Sequence, residues 1–113
     1  MKRLIAIRGA TTITVNTKEE IERVSIELFE EIERVNDIEE ESVVSIQIST
    51  TEDISAYYPA TALRLNGCNV PLFSALEPSI EGALDKCIRF MVLAYSSESA
   101  KHVYLRGAAN LRS

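Results

Sequence analysis

Residues 88 to 95 read Ile-Arg-Phe-Met-Val-Leu-Ala-Tyr, and the fold depends on whether this run is a strand or a helix. A continuous apolar run of this length is compatible with a buried strand or with a buried helix. The run is short, and the loop signal Ser96-Ser97-Glu98-Ser99 follows it. We therefore predict a buried strand over Ile88 to Tyr95, with the charged residue Arg89 inside it.

The clearest neighbouring element is an amphipathic helix over Thr17 to Val35. Thr17 and Glu20 have the spacing of a capping box, and apolar residues then recur at helical intervals. Pro59 and Gly67 are typical of the first turn and the end of a second, short helix. The acidic run Glu39 to Glu41 is predicted to lie in the loop after the long helix, as a solvated surface rather than a metal site.

Four more segments have strand patterns, which gives five strands in all. The segment at 42–50 alternates apolar and polar residues, as a half-buried strand does. The segment at 70–73 contains Pro71, which favours an edge or a bulge. The strands are predicted over Lys2 to Arg8, with Arg8 closing the strand, and over Ser42 to Thr50, Val70 to Phe73 and His102 to Ala108.

Size and charge limit the class of protein. The chain has 113 residues, which suits a single domain over residues 1–113, and its formal net charge is -5. An acidic chain argues against nonspecific binding of nucleic acid, and no apolar run is long enough to span a bilayer. Cys68 and Cys87 are too few for a disulfide scaffold, so we expect reduced thiols and a cytoplasmic location. A domain this small often builds a deep ligand site between subunits, which makes an oligomer plausible.

Arginine residues occupy positions where a core is expected. Arg8 and Arg89 belong to predicted strands, and a buried guanidinium is costly without a partner anion. One interpretation is a structural ion pair of Arg89 with Glu77 or Glu81. The other is a pocket whose missing anion is the ligand, a compact polyanion held by bidentate hydrogen bonds, to which Arg64 and Arg112 would add.

Other catalytic chemistry has little support in the sequence. There is no glycine-rich phosphate loop, no pair of histidine ligands and no Ser-His-Asp set in a recognisable context. His102 is the only histidine, and we expect it to be structural. We therefore expect no metal and no cofactor. A pericyclic rearrangement is one of the few reactions that needs only shape and fixed charge.

An ordered set of motifs resembles a known family. The segments at 7–12, 58–60 with Arg64, 70–72 leading to Glu77, 86–89 and 102–105 with 111–112 follow in the order and spacing of the monofunctional bacterial chorismate mutases of the Bacillus type. The resemblance implies an α+β fold with a five-stranded mixed sheet, one long helix and short helices. Three chains would form a homotrimer, a pseudo-α/β barrel with a cleft between each pair of subunits.

The resemblance also implies the reaction and the residues. Chorismate would rearrange to prephenate in aromatic amino-acid biosynthesis, with no cofactor or metal. Arg8 and Tyr104 would hold a carboxylate, Arg89 would donate to the ether oxygen and a carboxylate, and Glu77 would accept from the ring hydroxyl. The residues implied to line or close the cleft are Tyr58, Arg64, Leu72, Phe73, Ser74, Leu111 and Arg112.

The sequence departs from the Bacillus type near the implied cleft. Tyr58 stands in place of Phe, Ser74 in place of Cys, and Thr61 in place of a Lys at the cleft mouth. Tyr58 keeps the aromatic ring, and Ser74 can still form a hydrogen bond. The change at Thr61 removes a positive charge, and we expect it to weaken the capture of substrate.

Two alternatives remain open from the sequence. The first is a trimeric enzyme like the deaminases of enamines and imines, which also carry an arginine in an intersubunit cleft. The second is a trimer that binds a small carboxylate and performs no chemistry. Glu77 together with Arg89 favours catalysis, because a carboxylate binder needs no acceptor beside its cation.

Overall fold

The structure, a computed structural model, describes residues 1–111 and contains five strands and two α-helices. The strands are β1 (Arg3–Thr12), β2 (Val43–Thr50), β3 (Leu72–Leu76), β4 (Cys87–Ser96) and β5 (Val103–Tyr104). The helices are α1 (Lys18–Asn36) and α2 (Pro59–Leu65), and two 3₁₀ turns span Glu40–Ser42 and Arg106–Ala108. No helix within residues 1–111 is both long and apolar enough to cross a membrane.

The five strands form one mixed sheet in the order β3-β2-β4-β1-β5. The central strand β4 pairs antiparallel with β1 and with β2, while the edge strands β3 and β5 pair parallel to β2 and β1. The predictions of a buried strand at 88–95 and of a long helix beginning after Thr17 are confirmed. The β4 run is a strand because its neighbours satisfy its backbone groups on both sides.

One face of the sheet is covered by α1. The apolar stripe of the helix packs against the buried side chains of β1, β2 and β4. Gly9 permits the close approach, because a Cβ at this position would lie 2.7 Å from Cδ1 of Ile32. The fully buried residues of this core include Ile7, Ile21, Leu28, Ile32, Ile46, Ile48 and Val92.

The opposite face of the sheet carries no helix within the described residues. In β4 the even-numbered residues from Ile88 to Ala94 are buried, while the odd-numbered residues from Arg89 to Tyr95 are half-buried or exposed. Leu4 lies opposite Tyr95, and both side chains are about half exposed, at 51% and 50%. Phe73 at the sheet edge is 66% exposed. We call this surface the bare face; its apolar side chains are of the kind that a second protein surface covers.

Three expectations about element bounds were wrong. β1 continues to Thr12, so Arg8 lies in the middle of the strand rather than at its end. The third strand begins after Pro71 rather than at Val70. The last strand ends at Tyr104, because Arg106 has a left-handed backbone with φ of 53° and begins a 3₁₀ turn.

The beginning of α1 is fixed by two side chains. The Thr17 hydroxyl accepts a hydrogen bond from the backbone N–H of Glu20 at 3.2 Å. The Glu20 carboxylate reaches back to the preceding loop and accepts from the backbone N–H and the hydroxyl of Thr14 and from the backbone N–H of Val15. The hydrogen bond from the Thr14 backbone is the main reason that the pKa of Glu20 is lowered to about 2.

We predict that Glu20→Gln lowers the thermal midpoint at neutral pH. Because the pKa of Glu20 is lowered on folding, its contribution is present above its ordinary pKa of 4.5 and is lost as the pH falls toward about 2. The difference in Tm between wild type and variant should therefore shrink over that range. Glu19→Gln, in the same turn of α1, is the matched control and should show no such convergence. A Tm difference that stays constant from neutral pH to about pH 2 would contradict this assignment.

Candidate active site

Two rows of side chains cross the bare face and form the floor of a cleft. In the first row, residues in register on β3, β2, β4 and β1 are Phe73, Gln47, Met91 and Arg8. The second row, two residues along each strand, contains Ala75, Ser49, Arg89 and Ala10, with Tyr104 on β5 opposite Ala10. Diagonal neighbours of this kind lie about 7–8 Å apart. The sheet register therefore brings Arg8 and Arg89 to the same surface.

The cleft above these rows has a volume of about 410 Å³. It collects four of the residues proposed from the sequence, namely Arg8, Arg89, Tyr104 and Phe73. We call it the arginine cleft. Its size is within the usual range for sites that bind small molecules.

Arg8 and Tyr104 bring unpartnered polar groups to the arginine cleft. The Arg8 guanidinium forms no ion pair with any residue in the described range. The Tyr104 hydroxyl is buried and has no hydrogen-bond partner among residues 1–111. A buried hydroxyl without a partner is costly, and a bound anion would satisfy both groups.

Arg89 is oriented by Glu77, the residue directly after β3. The Arg89 Nε donates to Oε2 of Glu77 at 2.9 Å, and the Arg89 and Glu77 side chains are 37% and 19% exposed. The backbone N–H of Glu77 donates to the carbonyl of Thr50 at 2.8 Å, which fixes the start of this loop. The structural ion pair that the sequence allowed is therefore present. It uses only Nε, so the two terminal nitrogens of the guanidinium have no protein acceptor within the described part of the chain.

The remaining substrate-binding candidates lie around the other side of β3. Side chains alternate along a strand, so Phe73 and Ala75 line the arginine cleft while Leu72 and Ser74 do not. Tyr58 and Ser74 line a second cleft of about 500 Å³, and Arg64 and Leu72 line a third of about 420 Å³. We call this set the outer wall, made up of Tyr58, Arg64, Leu72 and Ser74. Within one chain the outer wall is not brought together with Arg8 and Arg89.

Two further candidates, Leu111 and Arg112, lie at the end of the chain. Leu111 packs, as Tyr104 does, against the small cluster of Ala10, Cys87 and Ala108. It therefore supports the segment behind Tyr104, and it does not line any of the three clefts. Arg112 lies outside the described residues.

The loop before the outer wall is fixed by Asn16. Its Oδ1 accepts from the backbone N–H groups of Ser55 and Ala56 at 3.1 Å, and its Nδ2 donates to the Ser55 hydroxyl at 2.9 Å. Tyr58, two residues further on, is the N-cap residue of α2 and is 69% exposed. The aromatic ring is therefore held at the surface by an ordered loop.

A second anchor holds the start of β4. The Asp53 carboxylate accepts from the backbone N–H of Lys86 at 3.0 and 3.1 Å and from the Thr51 hydroxyl at 2.5 Å. Lys86 has a left-handed backbone with φ of 48°. The Thr51 hydroxyl in turn accepts from the backbone N–H of Cys87 at 2.9 Å. These contacts fix Cys87, the first residue of β4, two positions before Arg89.

The cysteines do not provide a nucleophile. Burial raises the pKa of Cys87 to about 11, and burial also raises the pKa of Cys68. Both thiols are therefore protonated at neutral pH, and the thiolate is the reactive form. Within residues 1–111, no three His, Cys, Asp or Glu side chains are grouped so as to hold a metal ion.

Three residues of the cleft floor, Gln47, Ser49 and Met91, were not predicted from the sequence. Gln47 and Ser49 were expected on the polar side of β2, but nothing in the sequence showed which strand lies beside them. Met91 follows Arg89 by two residues, so the strand period alone places it on the same face. The alternation of β2 and β4 was therefore the available signal, and their pairing, which the sequence does not show, was the missing part.

The arrangement suits a small dianion. Arg8 and the terminal nitrogens of Arg89 supply donors with positive charge, Tyr104 supplies a neutral donor, and Glu77 supplies an acceptor beside the second cation. Fixed charges in a partly desolvated cleft can stabilise charge that develops during a reaction.

Comparisons with known proteins agree with this chemistry. The family model for chorismate mutase type I matches residues 4–113. Chorismate mutase AroH of Bacillus subtilis is 39% identical, over 94% of this chain and 87% of the relative, and chorismate mutase AroH of Thermus thermophilus is 36% identical, over 94% and 91%. The solved structure of a chorismate mutase from Clostridium thermocellum superposes with a TM-score of 0.87 at 39% identity, covering 91% of this chain and 96% of that one.

Proposed function

Because the chain belongs to the type I chorismate mutase family, whose members isomerise chorismate to prephenate, we propose that it does so in clefts completed between the chains of a homotrimer. Family membership favours the mutase over the deaminase-like enzyme and the binding module, since the relatives named above are chorismate mutases. The observation that carries the assignment of the site is the convergence of Arg8, Arg89 and Tyr104, with unpartnered donors, in one cleft.

The separation of the candidate residues into two sets supports a cleft shared by two chains. Arg8, Arg89 and Tyr104 line the arginine cleft and Glu77 binds Arg89, whereas the four outer-wall residues line two other clefts. A second copy that places its outer wall over the first copy's arginine cleft would complete the site. Such a head-to-tail contact generates a closed ring when three rotations return to the first chain, which is the cyclic symmetry of the proposed trimer.

The bare face supports the same assembly. It exposes apolar side chains on both β1 and β4, and no helix within residues 1–111 covers it. A trimer in which three sheets pack around a common axis would bury these side chains, and it would form the pseudo-α/β barrel that the family resemblance implies. The number of subunits follows from that resemblance, and the apolar surface supplies the driving force.

Substrate binding is assigned to the groups that lack a partner. Arg8 would hold one carboxylate of chorismate by charge-assisted hydrogen bonds, with Tyr104 donating to the same group. Arg64 from the neighbouring outer wall, together with Arg112, would hold the second carboxylate. The neighbour's Tyr58, Leu72 and Ser74, with Phe73 and Leu111, would line or close the cleft and exclude water.

Catalysis is assigned to Arg89 and Glu77. Chorismate must adopt a compact diaxial conformation, and binding both carboxylates favours the conformer in which the reacting carbons are close. As the carbon–oxygen bond lengthens, negative charge grows on the ether oxygen. The terminal nitrogens of Arg89 would meet that charge, so they stabilise the transition state more than the substrate. Glu77 orients Arg89 through Oε2, and its other oxygen would accept from the ring hydroxyl.

A cytoplasmic location is part of the proposal. Cys68 and Cys87 are both buried free thiols, which suits a reducing compartment.

We predict that Arg8→Ala raises the KM for chorismate by about 10- to 100-fold and changes kcat little. A charge-assisted hydrogen bond of this kind contributes roughly 1.5–3 kcal/mol, and the carboxylate is bound alike in substrate and transition state. Loss of chorismate absorbance in the ultraviolet gives both constants. Arg3→Ala removes the same charge near the start of β1 and should leave KM unchanged. A large fall in kcat with normal KM would contradict the binding role of Arg8.

A further inference from the structure

His102 contacts the backbone of a residue that the proposed site depends on. Its Nδ1 accepts a hydrogen bond from the backbone N–H of Arg8 at 2.9 Å, across 94 positions of sequence. An imidazole nitrogen accepts only when it carries no proton, so this contact requires the neutral ring with its proton on Nε2. The only histidine of the chain is therefore tied to the strand that presents Arg8 to the cleft.

The bond is exposed at the surface, and it continues the pairing of a very short strand. β5 has two residues, and it joins β1 through the pairs Gly9–Val103 and Ala10–Tyr104, with a further bond from the Leu105 N–H to the Ala10 carbonyl at 2.9 Å. The His102 bond extends this short ladder by one step toward Arg8. A two-residue edge strand is weakly held by its own ladder, so the placement of Tyr104 beside Arg8 depends on every link.

His102 is itself presented by an anchored segment. The Asn36 side chain at the end of α1 accepts from the backbone N–H of Lys101 at 2.8 Å and donates to the Lys101 carbonyl at 2.9 Å. The residue before the imidazole is thus fixed to the helix that packs on the sheet. The exposed ring of His102 therefore joins a segment anchored to α1 with the backbone of β1.

We propose that His102 is a positioning residue for substrate binding. The β1–β4 ladder already fixes the backbone of Arg8, and the neutral imidazole ties the start of β5 to it, which keeps Tyr104 in register with Arg8 so that both can reach one carboxylate of chorismate. The inference rests on the proposed function, which assigns that carboxylate to Arg8 and Tyr104. His102 touches neither the substrate nor the reacting atoms, so it acts on KM and not on kcat.

Protonation of His102 removes this support. An imidazolium donates from both nitrogens, so Nδ1 would face the Arg8 N–H as donor against donor. Affinity for chorismate should therefore fall on acidification, while turnover at saturation is unchanged. The charged groups nearest His102 along the chain or bonded to it are Arg8 on β1 and Lys101, which pairs with Glu98; Arg106, just after β5, pairs with Glu27 on α1.

The test compares His102→Asn and His102→Leu with the wild-type trimer at about pH 8 and about pH 5. The Oδ1 of asparagine can replace Nδ1 as acceptor and does not titrate, whereas leucine has no acceptor. We expect His102→Leu to raise KM by about 3- to 10-fold at about pH 8 with normal kcat, the scale of one lost hydrogen bond. His102→Asn should keep a normal KM there. Between about pH 8 and about pH 5, the KM of the wild type should rise by about 3- to 10-fold more than the KM of His102→Asn.

Each outcome bears on the proposal. A normal KM in His102→Leu, or an acid rise in His102→Asn equal to that of the wild type, would overturn it. The second comparison holds even where His102→Leu does not fold. Arg8→Ala, measured beside these variants, separates the proposed role of Arg8 from that of His102. An unchanged KM in Arg8→Ala overturns the assignment of Arg8 and the inference about His102 with it. A raised KM in Arg8→Ala beside a normal KM in His102→Leu overturns the role of His102 alone.

Discussion

Replacement of Arg89 by alanine is expected to lower kcat for chorismate by at least ~10²-fold, the usual scale for losing one donor aimed at developing charge. The guanidinium lies on the rigid central strand, and Glu77 fixes its direction through Nε. The direction of the terminal nitrogens is thus set before substrate binds, and in the proposed mechanism their interaction would strengthen only as the carbon–oxygen bond breaks. Loss of this donor would therefore remove stabilisation of the transition state rather than binding of the substrate.

A matched control separates catalysis from the loss of an ion pair. Arg106 forms a comparable pair with Glu27, with the Arg106 Nε 3.0 Å from Oε1, at a site that does not line the arginine cleft. Arg106→Ala should therefore leave turnover unchanged, although it too removes an arginine–glutamate pair. Arg89→Lys should recover only part of the activity, because an ammonium lacks the planar fork that lets one group bind Glu77 and also donate to the substrate.

One result would contradict the role given to Arg89, and a second measurement controls for folding. Near-normal turnover in Arg89→Ala would mean that its pair with Glu77 is structural alone. A fall in turnover together with loss of the native fold would be an effect on stability rather than on catalysis. Circular dichroism and the thermal midpoint are therefore measured on the same samples. A folded variant with lowered kcat is the expected result.

The second large effect is expected when two impaired variants share one assembly. Chains with Arg89→Ala have an intact outer wall, and chains with Arg64→Ala have an intact arginine cleft. If each site joins the cleft of one chain to the outer wall of its neighbour, a mixed trimer contains one intact site in three. Mixed trimers should then regain about a third of the wild-type activity, whereas each variant alone has a small fraction of it.

The experiment uses co-expression of the two variants with different affinity tags, followed by purification on both tags. Activity is measured at low chorismate concentration, where kcat/KM decides the rate. Light scattering should give about three times the chain mass of 12.6 kDa, plus the tags. The matched control pairs Arg89→Ala with Arg8→Ala, since both changes affect the same cleft and no mixed site is intact. Recovery in that control, or none with Arg64→Ala, would contradict the shared cleft.

The elements with a strong periodic signal were predictable. The helix over Lys18–Asn36 has an apolar stripe and a capping residue, and the segment at 88–95 is short and bounded by a loop. Arg89 was identified because a charge inside an apolar strand is costly and needs a partner. Both the ion pair and the cleft were proposed from that argument, and the structure shows that the same side chain belongs to both.

Other features depend on contacts that residue types do not reveal. The end of β5 is set by the left-handed backbone of Arg106, and arginine has no preference for that conformation. The Gly107 N–H donates to the Thr12 hydroxyl at 2.9 Å, across 95 positions, which turns the chain away from the sheet. The bond between His102 and Arg8 is equally distant in sequence. Such partners become visible only once the strand order is known.

Both cations lie on paired strands, so their spacing does not depend on the loops of the chain. The separation of Arg8 and Arg89 is set by the register of β1 on β4, which is continuous along both strands. Insertions or deletions in the connecting segments would therefore leave the spacing of these two guanidinium groups unchanged, and with it the distance at which the site can bind one carboxylate and meet charge that develops elsewhere on the same molecule.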